Sequence, residues 1–195
     1  MARTKQFDER QALLTAMLVF WEKGYEGTSM QALEDAMGLK RTSIYNAFGN
    51  KRQLFNRVIT CYKESVLAAL FSRLDSTPDI REGVRRMLNA ALDIHYDDDT
   101  PGGCLVVLSV LESGQHTQES RVSLEQSMRD LKTGLQARLV KARKAGALPA
   151  DLDAGCMANT IATTMAGMMV LGKANFPRAA LGKTIKQVVG MLDSA

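Results

Sequence analysis

Apolar residues recur at three- and four-residue spacing along almost the whole chain, and no segment alternates convincingly with period two. That pattern dictates an all-α fold of about nine helices. Leu13, Met17, Phe20 and Trp21 form one face of a first helix, which Gly24 ends. Thr28 or Ser29 can cap a second helix carrying Met30, Leu33 and Met37, stopped by Gly38. A short third helix runs from about Thr42 to Phe48. Gly49 breaks it, and Asn50 can cap a long fourth helix, apolar at Phe55, Val58, Ile59, Tyr62, Val66, Leu70 and Leu74. Beyond Pro78, a fifth carries Val84, Met87, Leu88, Ala91 and His95, and a sixth runs from near Cys104 to near Gly114. A seventh carries Leu124, Met128, Leu131, Leu135 and Leu139, an eighth spans roughly residues 153–174, and Pro177 opens a ninth. The Asp- and Gly-rich run 97–103 and the segment 146–153 are the main turns.

The most informative stretch is residues 27–54, GTSMQALEDAMGLKRTSIYNAFGNKRQL. Two short amphipathic helices flank the tight turn Gly38-Leu39-Lys40, where Gly38 can adopt the left-handed conformation of a sharp helix exit. Ala32, Leu33, Ala36, Leu39 and Ile44 would form the small core of a helix-turn-helix. Its second helix has a polar, basic leading end, namely Lys40, Arg41, Thr42, Ser43 and Asn46. In such motifs this end meets base edges in the major groove, where Arg pairs with guanine and Asn with adenine. Thr28 at a helix start, the Tyr45 hydroxyl and Lys51 are candidate phosphate partners. Lys51 opposes its helix dipole, and a phosphate would explain it. From Lys40 to Arg57 there are basic residues and no Asp or Glu, a local field suited to a polyanion although the net charge is only +4.

These residues, in this order, resemble the TetR family of one-component regulators. The resemblance runs through Gly24-Tyr25, Gly27-Thr28-Ser29, Ala36-Met37-Gly38-Leu39-Lys40, Thr42-Ser43-Ile44-Tyr45, Phe48, Lys51 and Leu54. It covers about the first 60 residues and implies an all-helical homodimer bound to double-stranded operator DNA. It also implies that Thr28, Lys40, Arg41, Thr42, Ser43, Tyr45, Asn46 and Lys51 contact DNA. The expected division is a helix-turn-helix domain at 1–53 and a helical ligand-binding and dimerisation domain at 54–195.

Within the second domain the family pairs its last two helices across a twofold axis. Met157, Ile161, Met165, Met168, Ile185, Val188, Val189 and Leu192 are the expected interface, the alternative being that the eighth helix is an ordinary core helix. Cys104 follows two glycines and begins a helix, where a thiol can have a lowered pKa and sense an electrophile or oxidant; the alternative is a small packed residue. His95, Tyr96 and His116 are further possible pocket groups.

The remaining features narrow the function by exclusion. Three distant cysteines without a CxxC pair argue against a disulfide framework or zinc site and for a reducing, cytoplasmic setting. The apolar run 156–171 is broken by Asn159 and three threonines and is shorter than the roughly 20 residues of a membrane span, so no membrane partner is expected. No phosphate loop, GxSxG, HExxH or useful carboxylate pair occurs, so neither enzymatic activity nor a metal or cofactor is expected. The leading reading is a repressor released by a small-molecule effector. An activator, or an architectural protein without an effector, would carry the same head.

Overall fold

The computed structural model describes residues 7–112, 114 and 116–193. Among the described residues there is no strand, and nine helices follow one another. They are α1 (Glu9–Gly27), α2 (Met30–Met37), α3 (Arg41–Phe48), α4 (51–74), α5 (Ile80–His95), α6 (Leu105–Leu111), α7 (Gln118–Lys144), α8 (Ala154–Lys173) and α9 (Arg178–Gly190). The long α4 consists of α-helical Lys51–Tyr62, a π-helical turn Lys63–Leu67 and α-helical Ala68–Leu74.

Short polar residues start these helices by accepting hydrogen bonds from otherwise unpaired N–H groups. Asp8 caps α1, Ser29 caps α2, Asp79 caps α5, Thr117 caps α7 and Asp153 caps α8. At α4 the Asn50 side chain accepts from the Gln53 N–H while the Gln53 side chain accepts from the Asn50 N–H, a reciprocal capping box. Gly24 kinks the first helix rather than ending it: its φ of 70° is left-handed, and one more turn follows. The Glu112 carboxylate, at the end of α6, occupies the space a side chain at Gly24 would need and accepts from the Tyr25 N–H at 3.0 Å.

Buried side chains fall into two clusters. One joins α1–α3 and the start of α4 to Leu105, Val106 and Leu124. The other joins the end of α4 to α5, α7, α8 and α9. Because α4 contributes Leu54 to Tyr62 to the first cluster and Leu70 and Leu74 to the second, it is the shared strut between them.

The expected dimer-interface residues prove to be interior. Met157, Ile161, Met165, Met168, Ile185, Val188, Val189 and Leu192 are all buried within the one chain, in the cluster that α8 and α9 share with α5 and α7. A helix apolar on several sides has more than one face to bury, and the methionine face turns inward. By length and composition α8 could cross a membrane, but that inward face is covered by protein. Its exposed side carries Asn159, Thr163, Val170 and Leu171, and Met191 is exposed beyond α9.

Candidate nucleic-acid interface

The turn between α2 and α3 is built as its residues require. Gly38 adopts φ 63°, ψ 25°, and its N–H and that of Leu39 both bond to the Glu34 carbonyl. Leu33, Ile44 and Phe48 are buried, which fixes how α3 lies on α2 and α4. The same rotation of α3 turns Lys40, Arg41, Thr42, Tyr45 and Asn46 outward, with Ser43 half-buried beside them. Tyr45 is 46% exposed in a head that buries Phe20, Trp21, Phe48 and Phe55, so this ring does not serve the core.

Two of the expected phosphate partners also have partners within the chain. Thr28 is fully buried: its hydroxyl donates to the Gly24 carbonyl at 2.6 Å and its N–H to the Tyr25 carbonyl. It therefore closes the last turn of α1, and Ser29 is the residue that caps α2. Lys51 keeps its place at the start of α4, but its Nζ lies 4.4 Å from the centre of the Tyr25 ring. That ring face compensates the unfavourable dipole without requiring a phosphate.

One residue of this surface escaped the sequence reading. Glu34 accepts from Arg41 Nε at 2.5 Å and from the Arg41 N–H at 3.2 Å. Lys40, the N-cap of α3, makes no side-chain cap, so Glu34 supplies it from the preceding helix. Spacing alone carries no signal for this contact, because it spans seven residues across a turn.

Behind the interface the head is clamped to α6 and its flanking loops. Trp21 Nε1 donates to the Gly102 carbonyl at 2.9 Å. His116 stacks on Phe55 at 5.1 Å and lies against Tyr25, so it belongs to the head core rather than to a ligand pocket. His95 Nδ1 accepts from the Gly103 N–H, and Tyr96 donates to the Phe176 carbonyl, placing both at an outer cleft beside Lys173.

Cys104 is the N-cap residue of α6. Burial pushes its thiol pKa up, the opposite direction from the acidity expected at a helix start, against hydrogen bonds from the Tyr62 hydroxyl and the Val106 and Val107 amides that lower it. The Tyr62 hydroxyl donates to the sulfur at 3.3 Å and is itself held well above its ordinary pKa by burial. The sulfur borders an apolar cavity of about 40 Å³, walled by Tyr62, Cys104, Met128, Leu131, Met165 and Met169 among others.

Comparison with known proteins agrees with this architecture. The profile described as "Tetracyclin repressor-like, C-terminal domain" matches residues 81–188, and "Bacterial regulatory proteins, tetR family" matches residues 12–58. The uncharacterized HTH-type transcriptional regulator YezE of Bacillus subtilis is 29% identical over 174 residues, 89% of this chain and 90% of that protein. The HTH-type transcriptional repressor ComR of Escherichia coli is 28% identical over 175 residues, 86% of this chain and 80% of that one. Among solved structures, a cysteine mutant of the TetR family regulator CifR, complexed with a 26-base-pair operator duplex, has a TM-score of 0.87. It is 34% identical, covering 96% of this chain and 98% of that one. The chain belongs to the TetR family and is a DNA-binding transcriptional regulator.

Proposed function

We propose that the protein is a cytoplasmic homodimeric repressor that reads a palindromic operator through α3 and is released by a small effector. The observation that carries this reading is the row Lys40, Arg41, Thr42, Tyr45 and Asn46, outward on a helix whose Ile44 and Phe48 are buried. Arg41 and Asn46 would meet base edges; Lys40, Thr42, Ser43, Tyr45 and Lys51 would set register on phosphates. The repressor role of ComR and the operator complex of the CifR mutant support the same direction. Residues 1–53 act as the reading head and 54–195 as the effector and dimerisation domain. The partner copy would dock on the last two helices, α8 and α9, where Val170 and Leu171 of α8 and Met191 beyond α9 are exposed apolar groups.

The effector would enter the cavity beside Cys104. Three methionines in its wall can change rotamer and enlarge it, and α4, which supplies Tyr62 to the wall, leads directly to the head. Release then requires that the effector bind the DNA-incompetent state more tightly than the operator-bound state. Operator selection from a random duplex pool tests the reading, followed by titration with a maleimide against the parent and Cys104→Ser. Enrichment of a palindrome bound by two copies is the expected result. Release of the parent alone would assign a thiol-reactive effector to Cys104; equal response of both proteins would remove Cys104 from sensing. Absence of any enriched sequence would contradict operator binding.

A further inference from the structure

We infer that Glu34 is a positioning residue for base reading, holding Arg41 so that only one edge of its guanidinium faces the DNA. The inference rests on the proposed operator reading through α3.

Glu34 uses each part of itself on the turn. Its carbonyl accepts the N–H groups of Gly38 and Leu39, which fixes the exit of α2. One carboxylate oxygen accepts the Arg41 N–H, which fixes the entry of α3. The other accepts Arg41 Nε–H, tying the side chain back to its own backbone. The Glu34 side chain is 19% exposed and that of Arg41 is 52%, so the carboxylate sits behind and the guanidinium in front. A guanidinium held at Nε still offers its two Nη groups as a planar fork, the geometry that matches guanine O6 and N7. A fork already oriented also loses less freedom when it binds.

The same carboxylate carries a negative charge on a surface meant for phosphates, which lowers affinity for every sequence alike. The cap on the Arg41 N–H serves the fold by itself, whereas the second contact, to Nε–H of a half-exposed guanidinium, adds little stability. Glu34 therefore acts in two opposite directions: it sharpens discrimination and weakens general binding.

The test measures full-length parent, Glu34→Ala and Glu34→Gln on the selected operator, on operators substituted at single base pairs, and on unrelated duplex. Arg41→Ala first identifies the pair that Arg41 reads. Glu34→Ala is expected to lose about tenfold discrimination at that pair only. Its affinity for unrelated duplex should rise about twofold. Glu34→Gln, which retains one acceptor oxygen and lacks the charge, should lose less discrimination while gaining the same general affinity. In an Arg41→Ala background, Glu34→Ala should cause no further loss at that pair. A residue serving the fold alone would lower binding to both duplexes together. Unchanged discrimination in both variants overturns the inference, as does a loss that persists without Arg41. Should Glu34→Ala unfold, Glu34→Gln carries the same comparison. A parent that discriminates no sequence overturns the operator reading itself, and the inference with it.

Discussion

The two buried clusters are made of different materials. The head core is aromatic: Phe20 meets Phe55 edge-on at 5.2 Å, Trp21 meets Tyr62 at 5.3 Å, and His116 stacks on Phe55. The regulatory core is leucine and methionine, with Met87, Met157, Met165, Met168 and Met169 buried together. Aromatic rings have few torsions and directional contacts, so they hold one arrangement. Methionines have more torsions and fill irregular space in several ways. The contrast fits the proposed division between a rigid DNA-reading head and an adaptable effector domain.

The largest expected effect breaks the rigid side. Phe55→Ala should destabilise the protein by about 3–5 kcal/mol, because the ring is fully buried and contacts Phe20, Tyr25 and His116. Denaturant unfolding measures this, and a loss below about 1 kcal/mol would mean the cluster is loosely packed. Gly49→Ala comes next. Gly49 has φ 79° and ψ −152°, a region nearly closed to other residues, and an added side chain would lie 2.1 Å from Gln53 Oε1. A cost of about 1–3 kcal/mol is expected, with loss of the α4 cap, read by thermal unfolding.

On the adaptable side, Met165→Leu conserves volume and should cost less than about 1.5 kcal/mol while altering the shape of the Cys104 cavity. A cost equal to that of Phe55→Ala would erase the contrast. The smallest effect concerns the strut. Asp75, just beyond α4, is held below its ordinary 3.8 by hydrogen bonding to Arg138 of α7. The folded state binds that proton less readily than the unfolded chain. The stabilisation is therefore complete above about pH 5, where the unfolded carboxyl is ionised, and is lost as pH falls through the lowered pKa. The pair is exposed, so Asp75→Asn should remove less than about 1 kcal/mol at pH 7 and flatten the acid limb of stability. An unchanged acid limb would dismiss the pair as a contributor.

What the sequence made legible was local. Ser29, Gly38, Asn50 and the apolar stripes act within a few residues of themselves, so the helices, the turn and the outward row on α3 follow from spacing. Distant partners decided the rest. The Thr28 hydroxyl and N–H bond to the Gly24 and Tyr25 carbonyls, a use that its place at a helix start does not announce. The acidity of Cys104 depends on Tyr62 and the surrounding wall, remote in sequence. The α8 methionines could equally have faced a partner or the interior, since apolar character names the need for burial and not what provides it. The Glu34–Arg41 contact is set by the angle between two helices, which no periodicity encodes.

The proposed function stands on base reading by the outward row of α3. Duplex selection run side by side with the parent and Asn46→Ala tests it most directly. The parent is expected to enrich a palindrome, and Asn46→Ala to lose preference at one symmetric pair of positions while keeping the others. Identical enriched sequences from both proteins, or none from the parent, would contradict it.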